Sequence, residues 1–76
     1  MTRLPQVSGE RLIRALLKSG FAIHTRKGSH TTLVHPSDPL RRATVPVHKG
    51  KDLGKGLLHA ILKQAQVSPE EIRDLL

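Results

Sequence analysis

A short glycine turn at residues 27–30, with the sequence Lys-Gly-Ser-His, separates two segments of β-strand character. Residues 21–26 alternate, and Phe21, Ile23 and Thr25 share the side that we expect to be buried. Lys27-Gly28 is predicted as a two-residue connection, with glycine in the second central position that a type I′ turn favours. Because residues 29–35 resume β character, the chain is predicted to form an antiparallel hairpin here.

Helix signals flank this hairpin on both sides. Ser8 is predicted to cap a first helix over residues 9–19, which Gly20 ends in a left-handed conformation. Apolar residues at helical spacing over 57–65 predict a second helix, for which Asp52 is a candidate N-cap. Ser68, followed by proline and two glutamates, predicts the capped start of a short third helix.

The remaining β segment completes a sheet. Residues 36–39 contain two prolines and predict a loop, and residues 43–47 predict a third strand in which Pro46 marks an edge or an end. The order is α-β-β-β-α with a short extra C-terminal helix. It predicts an α+β two-layer sandwich, resembling the double-stranded-RNA-binding fold, with a three-stranded antiparallel sheet that is open on one face. Helix side chains are expected to pack on Phe21, Ile23, Leu33 and Val45 or Val47.

The length of 76 residues predicts one domain, residues 1–76, with a small core. There is no cysteine, so no disulfide stabilises it, which fits a reducing compartment. The N-terminus lacks a hydrophobic leader, and no apolar run approaches the roughly 18 residues that a membrane helix needs. We therefore expect a cytoplasmic protein with no membrane contact.

Basic charge is concentrated in the middle of the chain. Of a net charge of +7, residues 26–63 carry +6, from eight Lys and Arg against Asp38 and Asp52. A clustered basic patch on a small domain favours a phosphate backbone as partner, over a solvated basic face or an acidic protein. The candidate RNA-binding residues are Arg26, Lys27, Arg41, Arg42, His48, Lys49, Lys51 and Lys55.

His30 is the candidate catalytic residue among five histidines. A strand residue beside a glycine turn is held rigidly yet stays accessible, and if Leu33 points to the core, alternation puts His30 on the open face. Imidazole exchanges protons near neutral pH. RNA carries its own nucleophile, the 2′-hydroxyl, so an imidazole with a nearby cation such as Lys27, or next Lys49 or Lys51, is sufficient for cleavage.

Other chemistries find less support in the sequence. The histidines and isolated acids do not have the spacing of metal ligands, and no carboxylate pair or nucleotide-binding motif is present, so no metal or cofactor is expected. Phe21 is the only aromatic residue and is assigned to the core. RNA binding is therefore predicted to depend on the backbone, to be salt-sensitive, and to show little base preference.

Three blocks together resemble the HicA family of mRNA interferase toxins. The first is the turn at residues 27–30, the second is the Val-Pro-Val-His segment at 45–48 with Lys-Gly-Lys-Asp-Leu at 49–53, and the third is the helix at 55–65. The resemblance extends from about residue 8 to residue 65. The tripeptide Gly-Ser-His is a weak signal by itself, but with both downstream blocks at these separations it is specific.

This resemblance implies a toxin of a type II toxin-antitoxin system that cleaves mRNA and stops translation. The family's catalytic histidine corresponds to His30, with Gly28 and Ser29 shaping the turn around it. His48 matches a frequent family position. The implied partners are mRNA and a HicB-type antitoxin, with DNA contacted only indirectly through the antitoxin complex.

Two other functions remain compatible with the sequence. A non-catalytic RNA-binding module of the same fold would use the same basic patch, and only His30 at the turn separates it from a nuclease. A protein-interaction domain would direct the patch at an acidic partner. Salt-dependent RNA binding without cleavage would indicate the former, and RNA retention that ignores ionic strength would indicate the latter.

Overall fold

The computed structural model describes residues 3–76 and has the expected α+β architecture. Its sheet has three antiparallel strands that lie in chain order, which confirms the layout of a double-stranded-RNA-binding domain. Within residues 3–76, no helix is long and apolar enough to span a bilayer. The elements are α1 (Gly9–Lys18), β1 (Ala22–Lys27), β2 (His30–His35), β3 (Asp38–Pro46), α2 (Lys55–Ala65) and α3 (Pro69–Leu75).

Both ends of α1 are determined locally, as the sequence predicts. The Ser8 side chain accepts a hydrogen bond from the Arg11 backbone N–H at 3.2 Å, which satisfies a donor of the first turn. Gly20 follows the helix with φ +105°, a conformation that glycine adopts without steric cost. The N-terminus of α1 lies directly on β3, because a Cβ atom on Gly9 would overlap the Pro46 carbonyl oxygen.

The core lies between the helices and one face of the sheet. Leu33 on β2 and Val45 on β3 are fully buried and belong to one cluster with Leu12, Leu16 and Leu62 from the helices. The other face of the sheet carries no helix. Burial of alternate residues on β2 therefore defines a helix-side face and an open face of the sheet.

The predicted burial of Ile23 and Thr25 on one side of β1 is wrong. Ile23 pairs with Leu33 on the helix side, whereas Thr25 pairs with Thr32 on the open side. An irregularity at His24 shifts the register between them, and such a bulge reverses the direction of the following side chains. Ile23 consequently lies at the rim of the core, 39% exposed.

The predicted loop at residues 36–39 is too long. Only Pro36 and Ser37 form the turn, and β3 already begins at Asp38. The register jumps from the pair Val34–Arg42 to the pair His35–Asp38, so three residues of β3 bulge outward. Pro39 is tolerated there because β3 is an edge strand.

The segments around α2 and α3 are held by caps and backbone bonds. Asp52 forms a bridge with Ser8 instead of capping α2, whose N-cap is Gly54 without a side-chain bond. Ser68 caps α3 as predicted, accepting from the Glu71 backbone N–H at 3.1 Å. The Glu71 carboxylate in turn accepts from the Ser19 hydroxyl at 3.0 Å, which ties α3 to the end of α1.

Candidate functional site

The turn between β1 and β2 differs by one residue from the predicted connection. Lys27 and His30 form the closing pair, so that Gly28 and Ser29 are the two loop residues. Gly28 has φ +55° and Ser29 does not have a positive φ, which is the sign pattern of a type II′ turn with glycine in the first position. The correction matters because it places Lys27 directly across from His30.

His30 lies on the open face of the sheet. Its neighbour Thr31 is buried on the helix side, and His30 is exposed. Its imidazole has no hydrogen-bond or ion-pair partner among the described residues. Lys27 is its directly opposed partner on β1, and the Cβ atoms of such a pair lie about 4.5–5.5 Å apart. Pro46 of β3 flanks His30 on the other side.

A row of three threonines follows on the same face. Thr25, Thr32 and Thr44 are paired across all three strands. This row lies two residues along the strands from the pair of Lys27 and His30, on the same face. The hydroxyl oxygens of Thr32 and Thr44 are 3.4 Å apart. Sequence analysis missed these residues because their alignment depends on the register of both hairpins. Their hydroxyl groups suit contacts to phosphate or ribose oxygens.

The second sequence block begins beside the turn. The Val47 backbone N–H donates to the Ser29 carbonyl oxygen at 2.6 Å, so the chain leaving β3 passes the hairpin tip. A tight turn follows, in which the Lys51 N–H donates to the His48 carbonyl at 3.0 Å and Gly50 has φ +76°. The turn carries three exposed side chains, those of His48, Lys49 and Lys51. It begins one residue after Val47, which is bonded to the hairpin tip.

The other basic candidates are more scattered. Arg42 shares the open face, but it lies four residues along the sheet from His30, about 13 Å away. Arg26 pairs with Thr31 and therefore lies on the helix side, at the outer edge of the sheet. Lys55 is the first residue of α2. The structure thus groups Lys27 and residues 48–51 near His30, and separates Arg26 and Arg42 from them.

The Arg41 side chain makes contacts within the fold. Its Nε donates to the Ala65 carbonyl at 3.0 Å and its Nη2 donates to the Gln66 carbonyl at 3.3 Å, where α2 ends. The guanidinium carbon lies 5.4 Å from the Phe21 ring centroid, within the range of a cation–π contact. These contacts satisfy the last carbonyls of α2, so Arg41 has a structural role that its position in the sequence did not reveal.

Comparison with protein families identifies the class of protein. The family model described as "HicA toxin of bacterial toxin-antitoxin" matches residues 9–67, which is most of the chain. The chain belongs to the HicA toxin family. A comparison with curated proteins gives no match.

The matched region contains all of the geometry described above. It runs from the first residue of α1 past the end of α2 and includes the hairpin turn, His30 and the turn at residues 48–51. Of the helices and strands in residues 3–76, α3 alone lies outside it. As a HicA family toxin, the protein has an antitoxin as its counterpart.

Three other histidines of this HicA family member, His24, His35 and His59, do not share the position of His30. His24 lies in the β1 irregularity and His59 is exposed on α2. His35 is held by neighbours, with its ring edge-on to Phe21 at 5.1 Å and its Nδ1 2.8 Å from the Ser37 hydroxyl oxygen. No three His, Cys, Asp or Glu side chains in residues 3–76 come together as a metal-binding group.

Proposed function

We propose that this HicA family toxin is a metal-independent endoribonuclease in which His30 transfers the proton. The observation that carries the proposal is the exposed, unpartnered imidazole of His30 opposite Lys27, on the open face of a basic domain. Imidazole is suited to general acid–base catalysis at neutral pH, and none of residues 3–76 forms a hydrogen bond with its nitrogens.

The reaction uses a group that the substrate supplies. His30 takes the proton from a ribose 2′-hydroxyl, and the 2′-oxygen attacks the adjacent phosphorus. The bond from phosphorus to the 5′-oxygen of the next nucleotide breaks, and the leaving oxygen receives the proton from the imidazolium. Lys27 stabilises the additional negative charge on the phosphate during the attack.

The substrate is proposed to be mRNA, bound through its backbone. The exposed cations at residues 48–51 and Lys55, together with the threonine hydroxyls on the open face, suit phosphate and ribose better than base edges. Because Phe21, the one Phe, Tyr or Trp residue of the sequence, is buried, the open face offers none of these rings for base stacking. Lys27, Arg42 and His48 extend this surface, and Gly28 and Ser29 shape the turn that presents it.

Regulation is proposed to be steric. A HicB-type antitoxin would bind the cationic open face and cover His30, and the complex would contact DNA only through the antitoxin. The exposure of His30 in the free chain supports this, because a partner can reach the ring without rearranging the sheet. We place this function in the cytoplasm, where mRNA is translated.

Cleavage of a defined mRNA in the presence of a chelator tests the proposal. His30→Ala is expected to lower the cleavage rate by at least about 100-fold, the usual contribution of a general acid–base residue. His59→Ala removes another exposed histidine and serves as the matched control. Equal cleavage by wild type and His30→Ala would contradict the assignment. Salt-dependent binding with no cleavage by the wild type would instead indicate a non-catalytic RNA-binding module.

A further inference from the structure

A cavity of about 390 Å³ lies on the helix side of the sheet, beneath the turn that carries His30. Ile13 and Leu17 of α1 form one apolar wall, and Val47 contributes to the other side. The size falls at the lower end of the ~300–1,000 Å³ typical of small-molecule sites. Its lining combines apolar side chains with charged and hydroxyl groups, so that it can contact both the faces and the polar edge of a ligand.

The polar groups of this cavity have no partners within the described part of the chain. Thr31 lines the cavity and is 5% exposed, and its hydroxyl makes no hydrogen bond to a described residue. No fully buried side-chain nitrogen or oxygen of the described residues lacks a partner, so the unbonded Thr31 hydroxyl is not fully buried. Because Thr31 lines the cavity, its hydroxyl is accessible from there. Glu10, Arg14 and Arg26 line the same space, and none of the three forms an ion pair with a described residue.

The cavity and His30 lie on opposite faces of the same hairpin end. Thr31 faces the cavity, and its neighbour His30 faces the open side. The space beside Gly28 at the hairpin tip is open, because a Cβ atom on this residue would meet no atom within 4 Å other than those of its chain neighbours. A flexible strand can therefore pass over the tip, with one nucleotide at His30 and an adjacent one in the cavity.

We propose that this cavity is a nucleobase subsite for a nucleotide adjacent to the cleaved phosphate. The inference rests on the proposed ribonuclease function and adds a base preference to it. Ile13, Leu17 and Val47 pack against the faces of the base, and Arg14 and Arg26 bind the flanking phosphate. The Glu10 carboxylate accepts hydrogen bonds only, so it selects bases that present donors. Guanine presents two adjacent N–H donors, N1–H and N2–H, and is the expected occupant.

The first test measures binding without cleavage. In full-length His30→Ala protein, guanosine monophosphate is expected to shift the NMR signals of the Thr31 and Val47 methyl groups more than the adenosine, cytidine and uridine monophosphates do. Equal or absent shifts with all four overturn the proposal. Shifts of the same methyl groups only on addition of the antitoxin also overturn it, because the cavity is then a protein contact.

The second test maps cleavage sites with Glu10→Gln. This substitution removes a negative charge, so electrostatic attraction to RNA does not decrease. Discrimination for the base beside the cut is nevertheless expected to fall about tenfold, the loss of one good hydrogen-bonded base contact. Asp74→Asn removes an exposed carboxylate from α3 and is expected to keep the wild-type map.

The outcomes separate this inference from the function on which it rests. If the wild type cleaves RNA and Glu10→Gln gives the same map, the subsite is refuted and the nuclease stands. If the wild type does not cleave but guanosine monophosphate shifts Thr31 selectively, the subsite stands as a nucleotide site and the nuclease proposal fails. Circular dichroism of Glu10→Gln establishes that a changed map does not reflect unfolding.

Discussion

The two ends of β2 each carry a histidine beside a two-residue turn, and the two side chains have opposite surroundings. His30 begins the strand, exposed and without a side-chain partner among the described residues, opposite Lys27. His35 ends it, half-buried, with its ring against Phe21 and its Nδ1 beside the Ser37 hydroxyl. Histidine at one end of β2 thus has no side-chain partner among the described residues, whereas histidine at the other end contacts an aromatic ring and a hydroxyl group.

The difference lies in what each histidine ring contacts among the described residues. A ring nitrogen held by a neighbouring hydroxyl and a ring packed on an aromatic side chain contribute to folding, and neither is free to meet a substrate. The Gly28 turn, by contrast, places His30 on the open face between its strand neighbours Lys27 and Pro46, with its ring exposed. Position beside a turn therefore does not separate His30 from His35, whereas the lack of a ring partner among the described residues does.

Loss of the cation at the first hairpin is expected to have the largest effect. Lys27→Ala should lower the rate of RNA cleavage about 10- to 100-fold, because a charge-assisted contact to the phosphate is lost. Arg42→Ala removes a cation from the same face at a greater distance from His30, and it should lower the rate only a few-fold. Equal losses in the two variants would show that Lys27 acts through general electrostatics alone.

Removal of the engaged histidine is expected to reduce stability and not activity. His35→Ala should lower the free energy of unfolding by about 2 kcal/mol, because the edge contact with Phe21 and the hydrogen bond to Ser37 are both lost. Urea denaturation measures this change. The cleavage rate below the unfolding transition should match the wild type, and a large loss there would contradict the assignment of His35 to the fold.

Substitution of the glycine in the first turn should lower the free energy of unfolding less than His35→Ala does. Gly28→Ala forces a side chain into φ +55° and is expected to cost about 1 kcal/mol of unfolding free energy. The turn must adjust, and this displaces the pair Lys27–His30. The activation free energy of cleavage should therefore rise by more than the free energy of unfolding falls. Ser29→Ala keeps the backbone of the same turn and is the control. Full cleavage activity in Gly28→Ala would show that the turn geometry is not needed.

The smallest expected effect concerns the basic turn at residues 48–51. Lys51→Gln should reduce the slope of log binding constant against log salt by about 0.7, the loss of one phosphate contact to a single strand. Lys18→Gln, in the last turn of α1, is the control and should leave the slope unchanged. An unchanged slope in Lys51→Gln would place the RNA path away from this turn.

The sequence predicts the features of this fold that depend on neighbouring residues. The caps at Ser8 and Ser68, the end of α1 at Gly20 and the start of β2 near His30 all follow from local preferences, and the structure has each of them. The open face could also be inferred, because the burial of Leu33 determines the direction of His30.

Features that depend on distant contacts could not be predicted in this way. The irregularity at His24 reverses Thr25, and it becomes visible only in the pairing with β2. Asp-Pro at residues 38–39 has the composition of a loop, yet an edge strand with a bulge accommodates it. Arg41 was grouped with the surface cations because nothing near it in the sequence indicates that α2 ends within reach of its guanidinium.

The closing pair of the first hairpin has a consequence for the timing of toxicity. Lys27 and His30 are already opposed in the free chain, so under the proposed function this pair needs no rearrangement before it meets RNA. Once its counterpart is degraded, growth arrest should begin as fast as the toxin encounters transcripts. The lifetime of the antitoxin, and not a maturation step of the toxin, would then set the delay.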